Sequence, residues 1–233
     1  MCSVIYIIND IKDVEDDKKH PTKKNRPIAS GKVSVSQATI LLIVLLIGSL
    51  LINFLNIRVF NGSFILLLSY LILNLLYSYK LKSIAIIDVF ILSFGFVIRV
   101  FYGASLIGVE VSHWLFLTIL SAALFLSIGK RKKEFENAKK ARKVLKKYTY
   151  DFLDKFQYIF LTSLFIFYSL WTIEQKQKLL VWSIPMLIII FMKYSLNVET
   201  SDNGDPTTIL YNDKMLLVLC FIYSVFIVGV WVL

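Results

Sequence analysis

The run ATILLIVLLIGSLLINFLNI, Ala38–Ile57, decides the fold. It carries no charged residue over a length that, as a helix, crosses a hydrocarbon core, which takes about 17–25 residues at ~1.5 Å each. Lipid offers backbone N–H and C=O groups no partner, so such a run has to satisfy its own hydrogen bonds as a helix. Outward from it along the chain lie six further long apolar runs: Gly62–Tyr79, Ile84–Ile107, His113–Gly129, Phe156–Ile173, Leu179–Tyr194 and Met215–Leu233. The sequence has none of the short alternating segments that build a membrane barrel. The expected fold class is all-α, a polytopic transmembrane helical bundle of seven complete spans. Upstream, Met1–Ile8 is apolar but too short to cross, and it lacks the basic start and cleavage site of a signal peptide. It reads as an N-terminal helix stub.

Composition agrees with a chain that needs lipid around it: 57% of residues are hydrophobic and 15% aromatic, and mean hydropathy is +0.69. A net charge of +10 raises the question of nucleic acid, but the 26 basic residues sit in short stretches between apolar runs, the pattern of membrane loops. Sorted into alternate loops, 22 of them fall on one side, and only Arg58, Lys176 and Lys178 on the other, with Arg99 inside a span. That bias marks the richer side as cytoplasmic in a multi-pass cell-membrane protein and places the C-terminus outside. Trp114, Trp171, Trp182 and Trp231 fall near the opposite helix ends, as interfacial anchors do. Cys2 and Cys220 stand at opposite ends of the chain and only His20 and His113 are imidazoles, so neither a disulfide framework, a zinc site nor thiol redox chemistry is expected.

Three polar stretches remain, Asn9–Lys32, Gly129–Lys155 and Asn197–Asp213, all on the cytoplasmic side. The first opens with Asn9, Asp10, Asp13 and Asp17 as N-D-x-x-D-x-x-x-D. On a continuing helix, at about 100° per residue, these steps put Asp10, Asp13 and Asp17 on one stripe with Asn9 beside it. Like charges so placed repel by a few tenths of a kcal/mol per pair (~0.2–0.5), and a cation offsets that. Mg²⁺ prefers one or two carboxylates and completes its shell with water and phosphate oxygens. Directly after come His20-Pro21-Thr22-Lys23-Lys24-Asn25-Arg26-Pro27, where two prolines interrupt the helix and Lys23 and Arg26 supply donors for phosphate. Acids for a metal and bases for a diphosphate stand side by side. A solvated acidic turn neutralised by neighbouring lysines is the competing reading.

The string NDIKDVEDDKKHPTKKNRPIASGKVS, residues 9–34, resembles the first motif of the UbiA superfamily of intramembrane prenyltransferases. Its His-Pro-x-Lys-x-x-Arg-Pro-Ile-Ala continuation is most similar to the branch that includes decaprenyl-phosphate phosphoribosyltransferase. Further similarities are Tyr77-Ser78 with Leu81-Lys82, then Asp88 and Arg99, Gly129-Lys130-Arg131 with Glu134, and the stretch from Lys193-Tyr194-Ser195 to Asp213. The resemblance implies one UbiA-like membrane domain over residues 1–233. Because the superfamily has nine spanning helices, the chain is expected to lack the first and most of the second.

It also implies a set of roles. Asp10, Asp13 and Asp17 are the expected catalytic metal ligands for Mg²⁺, with Asn9, Lys23, Arg26, Lys82, Asp88, Lys130, Arg131 and Glu134 binding substrate. Aromatic prenyltransferases of the superfamily carry a second Asp-rich motif where this chain has Glu134, Glu136 and a dense basic run. The departure favours a second phosphate group over a prenyl diphosphate. The expected reaction moves 5-phosphoribose from phosphoribosyl pyrophosphate to a polyprenyl phosphate such as decaprenyl phosphate, at the cytoplasmic membrane face, for a cell-envelope polysaccharide precursor. The alternatives are prenyl transfer from an isoprenyl diphosphate to an aromatic or lipid acceptor, and a non-catalytic transporter or scaffold. Asp88 and Arg99 are about 16 Å apart along one helix face, and a structural ion pair is the competing reading for both. Lys80 and Lys82 equally suit snorkelling, the lysines from Lys139 to Lys147 suit anionic lipid, and Asp202, Asp205 and Asp213 suit a plain loop.

Overall fold

The computed structural model describes residues 1–19, 23–57, 62–136, 143–201 and 204–232. His20, Pro21 and Thr22 of the first motif, and Arg58, Lys139, Lys140, Arg142 and Asp202, lie outside the described residues. Among the described residues there are ten α-helices and no strand: α1 Cys2–Lys12, α2 Val14–Lys19, α3 Val35–Ile57, α4 Gly62–Tyr79, α5 Ile87–Ile107, α6 His113–Glu136, α7 Tyr150–Glu174, α8 Ser183–Thr200, α9 Pro206–Asn212 and α10 Lys214–Val232. Seven helices are long and apolar enough to cross a membrane, α3 to α8 and α10, with the 3₁₀ turn Lys178–Trp182 leading into α8. The protein is an all-α, multi-pass membrane protein.

The seven spans fall where the apolar runs lie, but three extend more than a helical turn beyond what hydropathy predicts. α6 continues to Glu136, α7 begins at Tyr150 and α8 runs to Thr200. These extra turns are polar, and they persist as helix because their charges find partners instead of water. The basic run Lys130–Lys133 is therefore helical and not part of a loop.

The described residues gather into two compact units, Met1–Leu81 with Ile98–Val109, and Lys82–Val97 with Glu110–Leu233. In the first, α1 lies against α3 and α4 and buries Val4 and Ile5. At the start of α3, Ser34 Oγ accepts from the Gln37 N–H (3.2 Å) while Gln37 Oε1 accepts from the Ser34 N–H (3.0 Å). This capping box satisfies two of the donors a helix N-terminus leaves unpaired. Along α3, Ile40, Val44, Leu51 and Phe54 stay exposed, an apolar face suited to lipid.

In the second unit, α6 packs along α7 and α8 packs on α10. One cluster joins Phe125, Tyr194, Val198, Ile209 and Leu216. Another joins Val89, Ile128, Val144, Leu145, Tyr148 and Leu153 beneath the charged ends of α6 and α7. Trp114 begins α6, Trp171 ends α7, Trp182 precedes α8 and Trp231 closes α10. Within this unit the tryptophans thus sit at the opposite helix ends from Lys130, Asp154 and Asp213.

Candidate active-site residues

The acidic motif lies at the end of α1. α1 stops at Lys12, where the Asp13 backbone turns to φ −94°, ψ 11° while its N–H still donates to the Asn9 carbonyl (2.9 Å). The chain restarts as α2, whose first turn holds Glu15, Asp16 and Asp17 and whose last holds Lys18 and Lys19, charges placed as the helix dipole favours. The expected single helical stripe is thus broken at Asp13, though the Asp17 N–H still reaches the Asp13 carbonyl at 2.8 Å. Beyond the 3₁₀ turn Lys23–Asn25, the backbone folds back. The Ser30 N–H donates to the Arg26 carbonyl (2.8 Å) and the Val33 N–H to that of Pro27 (3.0 Å). Ile28 and Ala29 are buried beneath this turn, and Gly31 takes φ +76°, a left-handed conformation that costs glycine least.

That return brings Arg26 over the acids. Its Nη1 donates to Asp10 Oδ1 and to Asp17 Oδ2, each at 2.8 Å. Asp17 is 3% exposed, a depth at which a lone carboxylate would be strongly disfavoured. Asn9 Oδ1 accepts from Ser78 Oγ. Lys12 Nζ donates to the Ser78 carbonyl at 2.5 Å and lies 3.9 Å above the Tyr79 ring. Of the residues expected here, Asp10, Asp17 and Arg26 are brought together, while the Asn9 side chain is taken up by Ser78. Asp13 is half-buried at the helix break, and Lys23 belongs to the following turn. Among the described residues no three carboxylate, imidazole or thiol groups gather into a ready metal cage. Two carboxylates sharing one cationic nitrogen nevertheless form the donor set Mg²⁺ takes when phosphate supplies the rest. The residues fit the ion.

In the second unit the basic run of α6 radiates to four elements. Lys130 Nζ donates to Asp205 Oδ1 (2.6 Å) at the start of α9, and Arg131 Nε to Asp88 Oδ2 (2.7 Å) on α5. Lys132 Nζ reaches Asp154 on α7 (2.5 Å), while Lys133 Nζ pairs with Glu136 (2.9 Å) and the Glu199 carbonyl of α8 (3.2 Å). Arg131, expected among the phosphate-binding cations, has a side chain 1% exposed, and its Nη1 donates to Glu134 Oε2 at 2.6 Å. Asp88 is fully buried, and its Oδ1 accepts from the Tyr148 hydroxyl (2.6 Å), which itself accepts the Ile86 N–H (2.6 Å). Ile86 holds φ +71°, a costly conformation for a β-branched side chain that persists only when its surroundings fix it. Burial and the Asp88 carboxylate both push the Tyr148 phenol upward, so it remains a donor at neutral pH. Lys82 is half-buried in the turn Leu81–Ser83.

Residues 1–225 match the model of the UbiA prenyltransferase family. The chain belongs to the UbiA prenyltransferase family. It is 31% identical over 242 aligned residues to a protein of Corynebacterium glutamicum named decaprenyl-phosphate phosphoribosyltransferase, covering 97% of this chain and 72% of that one. Its Mycolicibacterium smegmatis namesake is 32% identical over 93% of this chain and 72% of its own. A digeranylgeranylglyceryl phosphate synthase of Methanococcus aeolicus is 37% identical over 52% of this chain and 42% of its own. The protein is a membrane transferase, and the transporter or scaffold reading is left without support.

In this UbiA-family chain, several site partners escape sequence reasoning. Asp205, read as a plain loop residue, precedes Pro206 as the N-cap of α9. The Asp-Pro step was the available signal, since proline favours the first helical position. Burial raises the Asp205 pKa, but Lys130, Thr207 and the Thr208 N–H outweigh it and hold the carboxyl below its ordinary value. Lys193, the Leu216 N–H and Asn197 hold Asp213 lower still. Tyr148 and Asp154 carried no signal, because their partners are distant in sequence. Arg99, aligned by spacing with Asp88, instead lies 5.8 Å from the Tyr70 ring.

Proposed function

We propose that this transferase moves 5-phosphoribose from phosphoribosyl pyrophosphate to a polyprenyl phosphate such as decaprenyl phosphate, at the cytoplasmic face of the membrane, supplying a cell-envelope polysaccharide precursor. The observation that carries the reading is the acidic pair Asp10 and Asp17 closed over a single cationic nitrogen, in a chain whose similar relatives over nearly its whole length are named for that transfer. The phosphate oxygen of the acceptor attacks C1 of the ribose as the C1–O bond to pyrophosphate breaks, and the bonding pair leaves with pyrophosphate. The attacking oxygen is already anionic near neutral pH, so no general base is required.

The chain's own residues supply positioning and charge. Asp10 and Asp17, with Asp13 next to them in sequence, would hold Mg²⁺, assisted by Asn9, which Ser78 orients. The ion, when bound, supplies positive charge for the departing pyrophosphate. Arg26 and Lys23 serve as donors to the diphosphate. In the second unit, Lys130 and Lys82 are the phosphate-binding candidates, and Arg131 acts through its partners, fixing Asp88 and aiming Glu134.

One observation favours a second reading: the similarity to a digeranylgeranylglyceryl phosphate synthase over half the chain. In that case the same acidic site ionises an isoprenyl diphosphate, and an aromatic or lipid acceptor takes the prenyl group. Purified protein in detergent, given labelled phosphoribosyl pyrophosphate with polyprenyl phosphate, or labelled isoprenyl diphosphate with aromatic acids, separates the two. Label should enter lipid from the ribose donor and only with Mg²⁺; label entering from the prenyl donor alone overturns the first reading. Asp10→Asn or Asp17→Asn should abolish Mg²⁺-dependent turnover in protein that still folds.

A further inference from the structure

We propose that Arg26 is the resident cation of the acidic site and makes metal entry conditional on a diphosphate, an inference that rests on the metal–diphosphate reading above. A single nitrogen, Nη1, stands 2.8 Å from both Asp10 Oδ1 and Asp17 Oδ2. The Asp10 side chain is 26% exposed and that of Asp17 only 4%, so the pair needs a positive charge at all times. Arg26 supplies it from a backbone held in place by the Ser30 and Val33 hydrogen bonds and by buried Ile28 and Ala29. The Arg26 side chain itself is 40% exposed, which leaves the guanidinium room to turn outward on a fixed backbone.

A metal arriving alone has to displace the guanidinium from two charge-assisted bonds and strand it without an equivalent acceptor. Mg²⁺ also sheds its water reluctantly, so that exchange is unfavourable. A metal arriving with diphosphate changes the balance. The ion takes over the two carboxylates, and the guanidinium passes to phosphate oxygens, which its planar fork matches. Metal and diphosphate are therefore coupled through Arg26, on a scale of about 5–150-fold in affinity. The device keeps the acidic site closed to free divalent cations when no donor is present.

The test is Mn²⁺ binding to the full-length protein in detergent, followed by the loss of the free-ion paramagnetic resonance signal, with no diphosphate present. Arg26→Gln removes the competing charge and is expected to bind Mn²⁺ at least ~10-fold more tightly than wild type. Arg26→Lys keeps a cation on the pair and hence the local fold. It should hold Mn²⁺ affinity near the wild-type value while retention of labelled inorganic pyrophosphate at saturating Mn²⁺ falls ~10-fold, because an ammonium lacks the fork. Adding Asp17→Asn to Arg26→Gln should abolish the tight Mn²⁺ binding. If Asp17→Asn weakens Mn²⁺ binding but Arg26→Gln fails to strengthen it, the metal site stands and the role given to Arg26 is overturned. An Arg26→Lys protein that retains pyrophosphate as wild type does also overturns it. If Asp17→Asn changes Mn²⁺ binding in no background, the metal reading falls and this inference with it.

Discussion

Replacing Asp88 by asparagine tests the centre of the second unit most directly. The Asp88 and Arg131 side chains are 0% and 1% exposed, so salt cannot screen them and the pair behaves as a buried ion pair. Asp88 accepts from Arg131 Nε at 2.7 Å and from the Tyr148 hydroxyl at 2.6 Å. An amide cannot serve both donors. Turned one way, its NH₂ faces the Arg131 N–H, donor against donor. Turned the other way, it faces a Tyr148 hydroxyl that already accepts the Ile86 N–H. Either orientation also removes the buried negative charge that faces the guanidinium.

Breaking one side of a buried pair costs about 3–5 kcal/mol, whereas replacing both sides by apolar groups of similar volume is often neutral. Asp88→Asn should therefore destabilise the protein by about 3–5 kcal/mol. Asp88→Leu combined with Arg131→Met should recover most of that stability but not turnover, because Glu134 then loses the donor that aims it. Denaturation in mixed micelles, followed by tryptophan fluorescence, reads the first quantity, and the transfer assay reads the second. A loss under about 1 kcal/mol for Asp88→Asn, or a double variant with wild-type turnover, refutes the reasoning.

Three other outcomes are expected. A Cβ added at Gly204 would lie 2.6 Å from Lys133 Cβ and 3.4 Å from Lys130 Cα, so Gly204→Ala should cost about 1–3 kcal/mol by overpacking, seen as an earlier unfolding midpoint. Asp205 and Asp213 both have folded pKa values below their unfolded ones. Their contribution is therefore complete above about pH 4 and lost as pH falls through the folded values, so Asp213→Asn should lower stability at neutral pH and flatten the acid limb of a stability–pH curve, with the difference from wild type shrinking as pH falls. Asp17→Asn, measured in the transfer assay across Mg²⁺ concentrations, should show no metal-dependent turnover at any of them.

Apolar run length carried the fold, because lipid leaves a long uncharged segment no choice but helix, and α4 spans Gly62–Tyr79 as the run does. The same criterion failed at the polar ends of α6, α7 and α8, where side chains that hydropathy scores against find partners, as in Lys132–Asp154 and Asn197–Asp213. For the acidic motif, residue type and spacing singled out Asp10 and Asp17, which close over the Arg26 guanidinium. Spacing did not show that the helix breaks at Asp13 or that the cation would be the chain's own arginine.

Arg131 shows where one-dimensional reading stops. In sequence it is one of four consecutive basic residues and looks interchangeable with its neighbours. In the structure each of the four points to a different element, and depth separates their roles: Lys130, with a side chain 38% exposed, keeps access to a ligand, while Arg131 at 1% has none. A charge buried that completely needs a countercharge of comparable depth, which Asp88 provides, while the half-buried Glu134 takes a second bond at the rim. The run therefore divides into a buried cation that ties α6 to α5 and more exposed ones at its edge. A lysine at position 131 would keep the charge but not the two directed bonds that hold Asp88 and Glu134 at once.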